Sequence, residues 1–318
     1  MKEIFKLVKK NPLYFAKRLN QKIRYSAQDY YLLATGQANN NIVNQREFRV
    51  VGLRRTGNHA IINWIMQQVK GTVVLVNDIF INENPFRTVV EAFESRDPDF
   101  YWRAHRIKSN PLYAGDDYLD NLKKEASRDF IPKDLLIFSL EDYRLKLMDV
   151  KRFQKRHLLY FGGSGEKIDI LILRDPYNLL ASRLKNERIG LKTRSYVKSF
   201  AEVWVEYAKE YLGETNFMKN NKVLINYNQW SKNENYRKEL ASKLKINFTD
   251  AGFDEVTSYG GGSSFDGMGN KIQLDTMGRW KAYKDDPVFR KVVSNQKLRE
   301  YAARIFPEIS DVEKELNL

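Results

Sequence analysis

Two short, almost wholly apolar segments constrain this chain most: DLLIFSLED (Asp134 to Asp142) and KIDILILRD (Lys167 to Asp175). Apolar side chains that point both ways along so short a run mark a strand covered on both faces, the usual place of a strand in a parallel sheet. Three further segments fit the same scheme. Phe48 to Val51 leads through GLRRTGNH into the helical pattern AIINWIMQQV, then GTVVLVNDIF gives a second strand, and KVLINYNQW (Lys222 to Trp230) gives a late one followed by the helix YRKELASKLKI. Helices are also predicted from about Asn178, from Arg194 to Tyr211, and from Pro287 onward. Strands alternating with helices predict βαβ units, hence a three-layer α/β fold with a mainly parallel central sheet flanked by helices. The aromatic, charge-mixed stretch from Glu83 to Lys133 receives no element, and no internal repeat is present.

With 318 residues, 42% of them apolar, the chain is long enough for a sizeable core, which excludes a disordered, collagen-like or disulfide-scaffold protein. The expected division is residues 1–46 as a basic helical arm and linker, and 47–318 as one α/β domain with a C-terminal loop and helix. In the arm, Ile4, Phe5, Leu7, Val8 and Phe15 recur at approximately helical spacing, Pro12 starts or breaks a turn, and eight basic residues stand against one acid through Arg24. Such an arm either packs over its own domain or lies on an anionic lipid surface. The polar run GQANNNIVNQ (Gly36 to Gln45) is expected to link it to the domain.

Lys and Arg total 54 against 40 acids, a formal charge of +14, which points to anionic partners without choosing among nucleic acid, membrane and phosphorylated ligands. The aromatic residues fall mainly within apolar runs rather than between basic ones, so most are core and no nucleic-acid partner is expected. Zero cysteines remove thiolate chemistry, and three histidines make a metal site improbable, so none is expected. No run approaches the roughly 18 apolar residues of a membrane span, and MKEIFKLVKK lacks the apolar core of a signal peptide; the expected address is cytoplasmic, with surface contact to a membrane through the arm.

The chemistry concentrates in two strand-loop-helix junctions. In GLRRTGNH (Gly52 to His59), backbone amides at the new helix terminus are able to surround a phosphate, with Arg54 and Arg55 adding charged donors. The run is not G-x-x-x-x-G-K-[ST], because Asn58 and His59 follow Gly57. In LILRDPYNLLASR, Arg174 ends a strand and offers a bidentate fork, and Ser182 adds a hydroxyl eight residues later.

Together these junctions resemble PAPS-dependent sulfotransferases. GLRRTGNHAIINWI is similar to that family's 5′-phosphosulfate loop, usually a Lys-Ser-Gly-Thr-Thr run entering a helix, and LILRDPYNLLASR to its 3′-phosphate motif. KVLINYNQW resembles the family strand carrying a tyrosine near the adenine, here Tyr227, and GRWK (Gly278 to Lys281) the end of its C-terminal loop. The resemblance covers roughly residues 48 to 285. It implies a P-loop NTPase-like sulfotransferase fold and a metal-free transfer of a sulfuryl group from PAPS, leaving adenosine 3′,5′-bisphosphate. It further implies that Arg54, Arg55, Thr56, Gly57, Asn58, His59 and Ala60 hold the 5′ end of the donor, with Arg55 in the place of the family lysine. Arg174 and Ser182 would grip the 3′-phosphate, and Tyr227, Arg279 and Trp280 complete the nucleotide site. The family's Arg-Lys-Gly upstream of GRWK is Gln273, Leu274 and Asp275 here, which leaves a third phosphate contact open to Arg279, Lys271 or Arg183.

For catalysis Arg55 is an electrostatic partner of charge developing on the bridging oxygen, since a guanidinium does not serve as an acid. A hydroxyl acceptor also requires a base. Glu141, at the end of the strand preceding the Arg174 strand, leads; Asp78, with Glu83 near it, and His105 follow. The acceptor is expected to be a carbohydrate or glycolipid hydroxyl. Another nucleotide-dependent phosphoryl-transfer enzyme and a non-enzymatic basic binder of nucleic acid or membrane are the competing classes.

Overall fold

The computed structural model describes residues 12–35, 41–80, 83–95, 104, 106–110, 117–149, 151–185, 194–255 and 276–318. Six strands, β1 (Ile42–Gly52), β2 (Val73–Val76), β3 (Ile107–Asn110), β4 (Lys133–Glu141), β5 (Gly163–Leu173) and β6 (Asn221–Asn226), form one sheet in the order β3-β2-β4-β1-β5-β6. Only β3 is antiparallel to its neighbour; the other pairings are parallel, as the apolar runs predict. The helices are α1 (Pro12–Ala34), α2 (Asn58–Gln68), α3 (Pro85–Glu94), α4 (Tyr118–Ser127), α5 (Lys151–Phe161), α6 (Pro176–Lys185), α7 (Arg194–Tyr211), α8 (Tyr227–Lys232), α9 (Glu234–Lys243), α10 (Pro287–Val293), α11 (Gln296–Ile305) and α12 (Ser310–Glu315).

Period-two alternation divides each strand between two cores. Phe48, Val50, Leu135, Ile137, Ile170 and Ile172 point to α2, α8 and α9, where Trp64 and Trp230 meet edge to face at 6.2 Å. Val51, Leu136, Phe138, Leu171 and Leu173 point the other way, to Phe86 of α3, Phe161 of α5, Leu180 of α6, Trp204 of α7 and Phe289 of α10. Two buried layers on one sheet make the three-layer α/β architecture.

The unassigned middle stretch contributes α3, β3 and α4. α1 lies against this domain: Asp29, buried, accepts from Tyr160 Oη at 2.8 Å and from Arg87 Nη1 at 3.2 Å, and the Arg87 guanidinium covers the Tyr25 ring. Burial and the Asp29 charge push the Tyr160 hydroxyl upward. Two boundaries differ from expectation. β1 begins at Ile42, inside the segment read as linker, because the Asn44 amide bonds to the carbonyls of Phe161 and Gly163 and so belongs to the sheet. β6 stops at Asn226, whose side chain accepts from Gln229 N at 3.1 Å and caps α8, so Tyr227 opens a helix instead of continuing the strand. Among the described residues, no helix is long and apolar enough to cross a membrane.

Candidate functional site

β1 and β5 are neighbours, yet the chain leaves β1 for β2 on one side and leaves β5 for β6 on the other. Divergent connections from adjacent parallel strands open a crevice at their carboxyl ends, where ligands of open α/β sheets bind. The two junctions singled out in the sequence meet in that crevice.

The first turns sharply. Arg55 has φ 72° and Gly57 φ 101°, and α2 starts at Gly57 with no side-chain cap. Gly57 is required twice over, by its left-handed backbone and by space, since a Cβ there would lie 2.1 Å from Cε2 of Tyr227. Asn58 folds back over the end of β1, its amide donating to Leu53 O at 3.2 Å and to Glu141 Oε1 at 2.9 Å. Glu141 is level with Gly52 in the β1–β4 register. Asp142, next along, accepts from Arg54 N at 3.0 Å and from Arg183 Nη2.

The second junction places Arg174, buried, beneath the first. Its guanidinium donates to Arg55 O at 3.3 Å and to Thr276 O, and lies 4.9 Å from the centre of the Tyr227 ring. Asp175 caps α6, accepting from Asn178 N at 2.8 Å; burial pushes its carboxyl up against the pull of Arg174. Ser182 Oγ takes Arg55 Nε at 3.5 Å and Arg279 Nη1 at 3.4 Å, so the hydroxyl joins the first loop, α6 and the C-terminal segment. Trp280 anchors that segment, its side chain buried and its amide directed to Asn178 Oδ1 at 3.4 Å.

Charge is distributed unevenly. Arg54 reaches Asp78 at 2.8 Å and Glu141 at 3.5 Å, and Arg183 pairs with Asp142. Among the described residues, no carboxylate lies within ion-pair distance of Arg55 or Arg174. Burial, then the neighbouring Arg174 and Arg183, lower the pKa of the Arg55 guanidinium. Arg174 Nε and Thr56 Oγ1 are buried without a hydrogen-bond partner. Buried donors of this kind call for an acceptor, and the surrounding cations call for an anionic one.

A second wall carries the other candidates. Asp78 has φ 47° and its amide donates to Ser139 Oγ at 2.7 Å; that hydroxyl donates to Asn77 Oδ1 at 2.7 Å. Asn77 Nδ2 lies 3.0 Å from His59 Nε2, which ties the imidazole to the same network. His59 Nε2 is also 4.0 Å from Glu141 Oε1. Arg106 donates to Asp78 O at 3.0 Å and covers the Phe80 ring. Beside this wall, Asn77, Ile79, Phe80, Glu83, Val89 and Arg106 line a pocket.

The structure thus brings together Arg54, Arg55, Thr56, Gly57, Asn58, His59, Glu141, Arg174, Ser182, Tyr227 and Arg279, with Asp78 one strand away and Ala60 in the first turn of α2. Tyr227 lies beneath Gly57 and Arg174 as a support. His105 and Lys271 lie outside the described residues. The Ser139–Asn77–His59 relay and Arg106 were missed; the lone serine in DLLIFSLED was the available signal for the relay. No group of three or more His, Asp or Glu side chains able to hold a metal occurs among the described residues.

No family model matches the chain, and no curated protein matches it. Among solved structures it is similar to the sulfotransferase domain from the Synechococcus PCC 7002 olefin synthase, at 11% identity over 83% of this chain and 95% of that one, with a TM-score of 0.47. It is also similar to the sulfotransferase domain from the curacin biosynthetic pathway, at 12% identity over 81% and 96%, with a TM-score of 0.43. Likeness at this level establishes no activity, and the architecture stands on its own strand order.

Proposed function

We propose that the protein is a sulfotransferase of P-loop NTPase-like fold that moves a sulfuryl group from PAPS to an acceptor hydroxyl. The observation that carries this reading is that Arg174 donates to the Arg55 carbonyl at the crossing of two strand-loop-helix junctions, neither arginine has a carboxylate at ion-pair distance among the described residues, and Arg174 Nε and Thr56 Oγ1 are unsatisfied beside them. The residues present fit a nucleotide with an anionic group at each of two ends. Arg54 to Ala60 would receive its 5′ end at the open start of α2, and Arg174, Ser182 and Arg279 its 3′-phosphate.

In the reaction the acceptor oxygen forms a bond to sulfur as the bond from sulfur to the bridging phosphate oxygen breaks. Arg55 meets the negative charge that collects on that oxygen. Glu141 takes the acceptor proton, and its charge is close enough to be felt at Arg55. Asn58 and Arg54 hold the Glu141 carboxylate in place, and Asp78 is the second carboxylate on the acceptor side. The acceptor enters through the pocket past Asn77, whose lining mixes Ile79, Phe80 and Val89 with Glu83 and Arg106. Such a lining suits a hydroxyl on a body with both polar and apolar parts, a glycolipid or carbohydrate conjugate.

The test is PAPS-dependent sulfation of a panel of glycolipid and carbohydrate hydroxyls, with Glu141→Gln in parallel. Wild type should transfer sulfate, and the variant should lose roughly two orders of magnitude or more in turnover while keeping its nucleotide affinity. Full turnover by Glu141→Gln would move the base to Asp78, and no transfer by wild type to any acceptor would count against the reading.

A further inference from the structure

Helix α1 presents two faces of opposite purpose. Its inner face is fixed to the domain through Asp29, Tyr25 and the Lys22–Glu83 ion pair at 3.0 Å. Its outer face exposes Leu19 by 50%, Ile23 by 60% and Tyr30 by 76%, with Leu13 at 82% near its start. Leu19 and Ile23 are four residues apart, and Tyr30 follows seven later, so the three form one stripe along the helix. A folded domain gains nothing from a row of large apolar side chains held in water.

The charge around that stripe identifies what covers it. Within α1 there are four basic residues, Lys17, Arg18, Lys22 and Arg24, and a single acid, Asp29, which is turned inward and neutralised by Arg87. Ahead of α1 the sequence adds Lys2, Lys6, Lys9 and Lys10 against Glu3 alone. An apolar stripe on a helix whose sequence carries four cations and one inward-turned acid is complementary to an anionic bilayer surface, where the side chains enter the acyl boundary and the cations meet headgroups. A second copy of this chain would bring like charges together.

We propose that the outer face of α1 docks the protein on an anionic lipid surface. The helix stays on the domain while it does so, because its inner contacts are separate from the stripe. Glu83, which Lys22 binds, also lines the pocket beside Asp78, so docking through α1 brings the mouth of that pocket to the lipid interface. The docking itself does not depend on the sulfotransferase reading.

The experiment is co-sedimentation of the full chain with vesicles of phosphatidylcholine alone and of phosphatidylcholine with about 30% phosphatidylglycerol, whose surface charge attracts basic segments. Leu19→Glu/Ile23→Glu is run alongside, with circular dichroism and melting temperature as folding controls; both positions are exposed, so the fold should survive. Wild type should pellet with the anionic vesicles, lose binding as salt rises, and bind at least about tenfold more tightly than the double variant. A Lys17→Gln/Arg24→Gln variant should lose the preference for anionic over neutral vesicles. Wild type left in the supernatant, or a folded Leu19→Glu/Ile23→Glu protein that pellets like wild type, would overturn the proposal. A dimer that the double variant abolishes, with no vesicle binding, would overturn it in favour of self-association.

Discussion

Away from the crevice, the buried cations of the sheet face carboxylates. Lys133 meets Glu125 at 2.7 Å and Arg49 meets Asp169 at 2.6 Å. At the carboxyl ends of β1 and β5 the pattern changes: Arg174 is as buried as any of these, and among the described residues neither it nor Arg55 has a carboxylate at ion-pair distance, although Asp175 and Glu141 lie near enough to act on them through charge. Capping shows the same contrast. Asn84, Asn226, Asn233, Asp286 and Asn295 cap their helices with side chains, whereas α2 starts at bare Gly57. Asp117 before α4 and Ile309 before α12 also make no side-chain cap, so what sets the crevice apart is the combination of an open helix start with Arg55 and Arg174 at no ion-pair distance from a carboxylate among the described residues.

The largest effect should come from breaking the paired side. Lys133→Met leaves Glu125 buried and uncompensated and should lower unfolding free energy by about 3–5 kcal/mol. Arg174→Met should cost less, about 1–2 kcal/mol without ligand, because Arg174 makes no ion pair at bonding distance and Asp175, which loses its nearby charge, keeps its hydrogen bonds from Asn178. Urea denaturation of both variants decides the matter, and equal losses would break the comparison.

Acid should act on the paired side next. Burial alone would raise the Glu47 carboxyl, but the charge of His157, with Lys167 and the Ser164 hydroxyl, lowers it to about 2. A depressed carboxylate contributes its full stability above its ordinary value near 4.5 and loses it as pH falls toward 2. A shift of this size corresponds to roughly 3 kcal/mol. Unfolding curves between those pH values should show the decline in wild type and a flatter profile in Glu47→Gln.

At the crevice, Gly57→Ala meets both the left-handed backbone and the Tyr227 ring and should cost about 3 kcal/mol, together with nucleotide binding. Arg54→Ala removes a side chain that is 45% exposed and should change stability by no more than about 0.5 kcal/mol. Thermal melts with and without nucleotide separate the two.

Much of this arrangement was legible in the sequence. Apolar runs of strand length exposed β4 and β5, the glycine turn exposed the first junction, and Arg174 with Ser182 exposed the second, because strand ends and loop chemistry are local properties. What stayed hidden depends on distance along the chain. The pairing of β3 with β2, the Asn44 bonds that draw β1 back to Ile42, and the Ser139–Asn77–His59 relay join residues whose spacing carries no periodic signal. Asn226 was a visible cap signal that the apolar run ahead of it obscured.

The most direct test of the claim that this crevice awaits a 3′-phosphorylated nucleotide is a calorimetric titration with adenosine 3′,5′-bisphosphate in magnesium-free buffer, against 5′-AMP and ATP. The account predicts a Kd on the order of micromolar, at least about tenfold weaker for 5′-AMP, and a loss of about 1.5–3 kcal/mol in Arg174→Ala. Equal affinity for 5′-AMP, or a magnesium-dependent preference for ATP, would contradict it.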